Sequence, residues 1–127
     1  MGRVLVVDGA NVVGSRPDGW WRDRARAAGR LHGRLAMADS DDLASYDEIV
    51  LVLEGQARAG VPEGRDGSLR TVHAPRDGDA TIVAQASKAQ QKGHDVVVVS
   101  ADRALVMRAE GVGARAMSPG WLLDRLD

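Results

Sequence analysis

Five acidic side chains lie where this 127-residue sequence could place them in one site. Asp8, Glu54 and Asp102 end or closely follow aliphatic runs, and Asp77 and Asp79 precede a helical pattern. The runs are Val4–Val7, Ile49–Leu53 and Val96–Val99. Converging carboxylates repel one another unless a cation compensates them, and hard oxygen ligands select Mg²⁺ or Mn²⁺. Such a metal supports hydrolysis of phosphodiester bonds without a covalent intermediate.

Composition excludes several other kinds of chemistry. The sequence has no cysteine, which excludes disulfides, thiol nucleophiles and cysteine-based metal sites. Its three histidines are spaced neither as metal ligands nor as part of a catalytic triad: His32, His73 and His94. With 17 Lys and Arg against 18 Asp and Glu, the net charge is -1. Any nucleic-acid contact therefore requires a local basic patch.

The aliphatic runs indicate how these acids are positioned. Unbroken apolar runs are typical of parallel strands that are buried on both faces. Two weaker strands are predicted at Leu69–His73 and Ala114–Met117, and helical patterns alternate with the strands. The helices are predicted at Trp20–Met37, Ala80–Gln91, Ala104–Glu110 and from Ser118 onward. This alternation predicts one domain over residues 1–127, a three-layer α/β/α sandwich whose strands meet at a ligand-binding edge.

Two further expectations concern the middle of the chain and its location. The glycine-rich stretch Gly55–Gly67 is predicted to be a mobile loop with a functional role. We find neither an apolar segment long enough to span a membrane nor a signal peptide, so we expect a cytoplasmic protein without membrane contact.

Each acid also has a purely structural alternative. Asp77, Asp79 and Asp102 precede helices, where aspartate is a favoured N-cap. Glu54 begins the glycine-rich stretch, where solvation alone would explain it. Asp8 has the strongest indication of a site role, because it ends a buried strand at a tight strand-to-helix turn.

Arginines recur along the first predicted helix. Arg22, Arg26, Arg30 and Arg34 are spaced four residues apart and predict a basic ridge that would hold RNA phosphates. An ordinary solvated helix face is the alternative. Arg103 directly follows Asp102 and is the better candidate for a phosphate contact.

The pair Trp20-Trp21 is unusual, since only 3% of the residues are aromatic. Adjacent helical side chains point about 100° apart, so one ring at most is well buried. Trp21 fits the apolar stripe and is predicted to be buried, whereas Trp20 is predicted to be partly exposed. An exposed Trp20 could stack on RNA bases, with core or interface packing as its alternative.

Four motifs, in order along nearly the whole chain, resemble a known family. They are Val6-Val7-Asp8-Gly9-Ala10-Asn11-Val12-Val13, Val52-Leu53-Glu54-Gly55, Asp77-Gly78-Asp79-Ala80-Thr81-Ile82 and Val98-Val99-Ser100-Ala101-Asp102-Arg103. The family is the NYN domain, a branch of the PIN-like nuclease superfamily, and the likeness is greatest to its YacP-like members.

The resemblance implies a PIN-like fold with strand order 3-2-1-4-5 and metal-dependent ribonuclease activity. By position, it makes Asp8, Asp79 and Asp102 the core ligands of Mg²⁺ or Mn²⁺. Asn11 would orient a ligand or contact phosphate, and Ser100 would support the site by hydrogen bonding.

The sequence departs from the family pattern in two places. It has Gly78-Asp79-Ala80 where the family often has Ala-Asp-Asp, so the second acid of that pair is missing. Either Asp77 compensates as a further ligand or the site is weaker. Glu54, the other further ligand, stands where YacP-like members usually have aspartate.

The missing acid keeps a second function open: a weak or inactive NYN-type module that binds RNA or ribosomes. A third possible function is that of the toxin in a toxin–antitoxin pair, although the first motif, Asp8-Gly9-Ala10-Asn11, argues against it. A receiver domain would need a lysine after its last strand, and a Rossmann domain a glycine-rich phosphate loop. RNA is thus the expected partner, and the sequence leaves monomer and homodimer open.

Overall fold

The computed structural model describes residues 2–127, which form six strands, six α-helices and two 3₁₀-helices. The strands are β1 (Arg3–Asp8), β2 (Glu48–Leu53), β3 (Gly64–Asp66), β4 (Leu69–His73), β5 (Asp95–Val99) and β6 (Arg115–Met117). The α-helices are α1 (Gly9–Gly14), α2 (Arg24–Ala36), α3 (Asp41–Ala44), α4 (Gly78–Gln91), α5 (Arg103–Gly111) and α6 (Pro119–Leu126). The 3₁₀-helices span Trp20–Arg22 and Gly55–Gly60. Within residues 2–127, no helix has the length and apolarity needed to cross a membrane.

The strands form one sheet in the order β3-β4-β2-β1-β5-β6. All neighbours are parallel except β3, which pairs antiparallel with β4. The five parallel strands have the predicted order 3-2-1-4-5. The register sets Asp8 beside Val52 of β2 and Val7 beside Val99 of β5, so the carboxyl ends of these strands are level.

Each central parallel strand is buried on both faces, as its aliphatic run predicts. Alternate residues of β1 point to opposite cores: Leu5 and Val7 to one, Val4 and Val6 to the other. The first core also contains Leu31, Leu35, Leu122 and Leu123, and the second contains Ile82, Ala86, Leu105 and Ala109. Helices α2 and α6 therefore cover one face and α4 and α5 the other, which confirms the three-layer sandwich.

The prediction of a loop over Gly55–Gly67 is wrong, because this stretch contains a 3₁₀-helix and the strand β3. A Cβ atom on Gly60 would lie only 1.9 Å from the backbone oxygen of Ala25. Glycine here allows two backbones to pack directly together. The residue type that indicated a loop instead marks a close approach between the 3₁₀-helix and α2.

The predicted helix Trp20–Met37 is also corrected. Asp23 has a non-helical backbone, with φ of -152° and ψ of 87°, and its side chain accepts a hydrogen bond of 3.0 Å from the Arg26 backbone N–H. This N-cap starts α2 at Arg24 and leaves Trp20–Arg22 as a separate 3₁₀-helix. The side-chain directions expected from one continuous α-helix therefore do not apply to Trp20, Trp21 and Arg22.

Candidate active site

Asp8 lies at the junction of β1 and α1, and only 7% of its surface is exposed. Its Oδ2 accepts a hydrogen bond of 2.9 Å from the Ser100 hydroxyl, and its Oδ1 accepts one of 3.3 Å from the Asn11 backbone N–H. Both carboxylate oxygens are therefore held in place. Asp8 acts as the N-cap of α1 and also presents a fixed negative charge at the carboxyl end of the central strand.

Burial raises the pKa of Asp8 above its ordinary value. The hydrogen bonds from Ser100 and Asn11 oppose this change, while the negative charges of Asp79 and Glu54 add to it. The net shift is upward. These three acids thus lie close enough for their charges to interact, although they come from three separate stretches of chain.

Gly9 is required for the sharp turn that follows Asp8. A Cβ atom at this position would lie 2.6 Å from the backbone oxygen of Val52 and 2.8 Å from a methyl carbon of Leu53. Because real Cβ atoms do not approach so closely, only glycine lets α1 begin directly beside the end of β2. The turn thereby keeps Asp8 at the level where β2 ends.

Two polar side chains connect this turn to the segment after β5. Oδ1 of Asn11 accepts a hydrogen bond of 2.8 Å from the Ala101 backbone N–H. Ser100, which is 3% exposed, accepts one of 3.1 Å at its Oγ from the Asp102 backbone N–H. The structure therefore places Ser100 between Asp8 and the start of α5, and Asn11 beside it.

Asp77 and Asp102 are helix N-caps, as Asp8 is. Asp77 accepts a hydrogen bond of 3.0 Å from the Asp79 backbone N–H at the start of α4. Asp102 accepts one of 3.2 Å from Leu105 at the start of α5. Each of these bonds is made by Oδ1, so a capping role and a ligand role are compatible for the same side chain.

Asp79 lies in the first turn of α4 and does not cap the helix. Burial raises its pKa, and so do the negative charges of Asp102 and Asp77, while Arg108 partly offsets them. Asp79 therefore interacts electrostatically with Asp77 and Asp102, and its charge also acts on Asp8. The role of Asp79 as a metal ligand, which the family resemblance implies, stays a prediction.

Glu54 is held in place and is not merely solvated. Its Oε2 accepts a hydrogen bond of 2.6 Å from the Gly78 backbone N–H, the first residue of α4. A carboxylate at a helix N-terminus is favoured by the helix dipole. Glu54 therefore joins the end of β2 to the start of α4 and keeps Asp77 and Asp79 near the sheet.

We call Asp8, Glu54, Asp77, Asp79 and Asp102 the acidic rim. Within residues 2–127, no group of three or more acidic or histidine side chains is arranged closely enough to hold a metal ion by direct ligation alone. The donor set itself consists of carboxylate oxygens, which suit Mg²⁺ or Mn²⁺. Mg²⁺ is commonly bound through one or two carboxylates together with waters and substrate phosphates.

The basic ridge is only partly present. Arg22 lies on the first 3₁₀-helix, with its guanidinium 5.8 Å from the centre of the Trp21 ring. Arg26 and Arg30 lie on α2 and are both exposed, whereas Arg34 is paired with Asp127. Arg103 is exposed at the first position of α5. A continuous four-arginine ridge on one helix was thus a wrong prediction, because Asp23 separates Arg22 from α2.

The prediction that Trp21 is buried is wrong, and of the two tryptophans Trp21 is the more exposed. Trp21 is 51% exposed, whereas Trp20 is half-buried with its ring against Gly14. The cause is the 3₁₀-helix, in which successive side chains are oriented differently from those of the continuous α-helix that the sequence predicted. The rings meet edge to face, with centroids 6.1 Å apart.

Trp20 lines a cleft of about 450 Å³ beside the acidic rim. We call it the Trp20 cleft; its other lining residues include Val13, Arg24, Ala28, Leu53 and Arg76. Arg76 was missed in the sequence, although it directly precedes the acidic pair Asp77 and Asp79. Its position next to a helix N-cap was the available signal.

No protein-family model and no curated protein sequence matches this chain. Solved structures do match. Rae1 (YacP) from Bacillus subtilis superposes with a TM-score of 0.72 at 18% identity, over 97% of this chain and 72% of that chain. The chain has the fold of Rae1. A tryptophan-to-leucine variant of Rae1 gives a TM-score of 0.74 at 19% identity, over 98% of this chain and 74% of that one.

This match confirms the YacP-like resemblance at the level of the α/β fold. It extends over nearly all of this chain, so both the acidic rim and the Trp20 cleft lie within the shared fold. At this level of identity the match does not assign roles to individual side chains. Those assignments depend on the geometry of the site itself.

Proposed function

We propose that this protein is a metal-dependent ribonuclease that hydrolyses RNA phosphodiester bonds at the acidic rim. The observation that supports this most is the environment of Asp8. Its carboxylate is buried at the end of the central strand, and its pKa is raised by burial and by neighbouring acids. A buried charge among like charges destabilises a fold unless a counter-charge compensates it. A divalent cation would supply that compensation.

Asp8, Asp79 and Asp102 would hold Mg²⁺ or Mn²⁺, with Asp77 and Glu54 as further ligands. When bound, the ion would polarise a phosphoryl oxygen and lower the pKa of a bound water. Electrostatic interaction of Asp79 with Asp8, Asp102 and Asp77 supports this set. Because no three of the acids within residues 2–127 are arranged for direct ligation, waters and a substrate phosphate would complete the coordination.

The chain's own residues would orient the reacting groups. Ser100 fixes Oδ2 of Asp8, which keeps the carboxylate in one orientation. Asn11 uses its Oδ1 to hold the Ala101 N–H, so its amide N–H₂ group is the part available to donate to a phosphate oxygen. Arg103, beside Asp102, would contact a neighbouring phosphate. Arg22, Arg26 and Arg30 would bind the RNA backbone without regard to sequence.

A second function is favoured by one observation. Since residues 2–127 contain no set of three acids arranged for direct ligation, an inactive RNA- or ribosome-binding module also fits the rim. Such a module would use the basic residues and the fold but would not require a metal.

Calorimetric titration of Mn²⁺ separates the two functions. It is carried out on the wild type and on Asp8→Asn, together with a cleavage assay on a fluorescent single-stranded RNA. Asp66→Asn, an exposed acid on β3 away from the rim, is the matched control. Metal binding and cleavage that both disappear in Asp8→Asn but persist in Asp66→Asn would support the ribonuclease. A wild type that binds RNA but neither binds Mn²⁺ nor cleaves would establish the binding module.

A further inference from the structure

The Trp20 cleft adjoins the acidic rim, and of its lining residues only Glu54 and Asp77 belong to the metal site proposed above. It is a concave space of about 450 Å³ between α1, α2, the end of β2 and the first 3₁₀-helix. This volume lies within the range of small-ligand sites, which are mostly apolar and contain a few directed polar groups. We propose that it binds one unstacked nucleobase of the RNA strand. The proposal rests on the proposed function, because it assigns a role to the substrate of the same rim.

The walls of the cleft have the composition that a nucleobase requires. Val13, Ala28 and Leu53 supply apolar surface, and Trp20 supplies an aromatic ring. Stacking on such a ring is available to every base, because each base has a π-face. Arg24 lies with its guanidinium 5.4 Å from the centre of the Trp20 ring, which adds a planar cation to the same wall.

The Trp20 ring is preorganised by its own contacts. One part of it packs against Gly14, where a Cβ atom would lie 3.5 Å from a ring carbon. The edge-to-face contact with Trp21 restrains the ring further. A base would therefore meet a ring that is already fixed, which lowers the entropic cost of binding. Trp21 itself is not among the residues that line the cleft.

The cleft opens beside the acidic rim. Glu54 and Asp77 belong to both, and Gly9 and Ala10, which follow Asp8 directly, also line the cleft. A nucleotide with its base in the cleft would thus have its phosphate near Asp8. The base would fix which phosphodiester bond reaches the acids, because a bound base limits the positions of the adjoining backbone.

Two cations near the cleft complement the negative charge of the RNA backbone. Arg24 and Arg76 line the cleft, and neither takes part in an ion pair formed within residues 2–127. They offset the repulsion between Glu54, Asp77 and an entering phosphate. A base in a duplex cannot enter a cleft of this kind without leaving its stack. The inferred substrate class is therefore RNA that is unpaired at the bound nucleotide.

Binding measured without catalysis tests this inference. The probe is a fluorescein-labelled, unstructured RNA of about ten nucleotides, a length within known site sizes, followed by anisotropy in EDTA at low salt. We compare Trp20→Leu, which retains apolar volume but loses the ring, with Trp20→Phe, which retains a ring. Trp21→Leu is the matched control, since Trp21 lies next in the chain and is exposed. Circular dichroism melts verify that each variant is folded.

We expect Trp20→Leu to bind about 5- to 150-fold more weakly, the range that loss of one base–aromatic stack produces. Trp20→Phe should bind like the wild type, and Trp21→Leu should lose far less affinity than Trp20→Leu, because it removes only an edge contact on the Trp20 ring. An abasic nucleotide moved along the probe should weaken wild-type binding at one position and should weaken Trp20→Leu no further there, as expected for a direct contact. A folded Trp20→Leu variant with wild-type affinity, equal losses at Trp20 and Trp21, or additive abasic effects would each overturn the inference.

The outcomes separate this inference from the proposed ribonuclease. Ring-dependent binding by a protein that never cleaves RNA would support the base cleft and reject the nuclease. Cleavage with ring-independent binding would reject the base cleft alone. A wild type that does not bind the probe would overturn the cleft as an RNA site.

Discussion

The hydroxyl of Ser100 donates a buried hydrogen bond of 2.9 Å to Asp8, 92 positions away in the sequence. The same Oγ accepts a hydrogen bond from the backbone N–H of Asp102. One hydroxyl therefore joins the end of β1 to the start of α5. Because it holds one acid directly and the backbone of another, Ser100 determines how the two are oriented relative to each other.

Replacing Ser100 with alanine should affect both stability and the ionisation of Asp8. We expect a loss of about 1–3 kcal/mol in the free energy of unfolding, since a buried carboxylate oxygen loses its partner. The pKa of Asp8 should rise further, because the lost bond favoured the charged form. Urea unfolding measures the first effect. The second should appear as an acidic limb of the pH–cleavage profile displaced to higher pH.

Ser87→Ala is the control for Ser100→Ala, because the Ser87 hydroxyl only accepts an exposed hydrogen bond from Gln91 on α4. It should leave both measurements unchanged. A Ser100→Ala variant with the wild-type pH profile would show that the hydroxyl has no influence on Asp8.

Asp8→Asn should change stability in a pH-dependent way. The folded-state pKa of Asp8 is raised above 3.8, so the charged carboxylate destabilises the folded state relative to the unfolded one. This cost is absent below the unfolded pKa, grows as the pH rises from the unfolded pKa to the folded pKa, and is complete above the folded pKa. We therefore expect Asp8→Asn to melt at a higher temperature than the wild type at neutral pH. The difference should disappear in acid.

Thermal melts of Asp8→Asn across this pH range, with Asp66→Asn alongside, measure the effect in the absence of metal. An Asp8→Asn variant that is less stable than the wild type at neutral pH would show that the two hydrogen bonds to the carboxylate outweigh the cost of its charge.

Much of the fold was predictable because each central strand is buried on both faces. The run Val4–Val7 has no polar residue, and only a covered parallel strand accommodates such a run. The acids after these strands were predictable for the same reason, since parallel strands end at one edge. What was missed depends on contacts between distant residues. Gly60 indicates a loop by its residue type alone, whereas in the fold it packs against the backbone of Ala25.

The site was less predictable than the fold. Asp77 and Asp102 precede helices, and the sequence cannot show whether such an acid caps a helix or faces a ligand; the structure shows that they cap. The tryptophans were misplaced because one residue, Asp23, interrupts the helical pattern by capping α2. Arg76 was overlooked since its proximity to Trp20 results from the packing of α1, α2 and β2 together.

Two glycines on helices of the same layer should respond oppositely to alanine. Gly9→Ala would place a Cβ atom 2.6 Å from the Val52 oxygen, so α1 would have to move away from β2. We expect a loss of about 1–3 kcal/mol in the free energy of unfolding, as in other overpacked sites, and a displaced Asp8. A Cβ atom added at Gly33 on α2 would meet no other part of the fold within 4 Å, so Gly33→Ala should stabilise by about 0.5–1 kcal/mol.

Urea unfolding of both variants measures these changes, and Gly33→Ala serves as the control for the substitution itself. Equal stability of Gly9→Ala and the wild type would mean that the close approach of α1 to β2 is not needed to place Asp8.

Charge reversal on α2 tests whether its arginines contact the RNA backbone. Arg26→Glu should weaken binding of single-stranded RNA more at low salt than at high salt, because screening reduces the lost attraction. The slope of log K against log salt should become shallower by about 0.7 for one lost phosphate contact. Lys92→Glu, an exposed cation after the far end of α4, is the control and should leave the slope unchanged. A loss that is equal at all salt concentrations would indicate damage to α2 rather than loss of a phosphate contact.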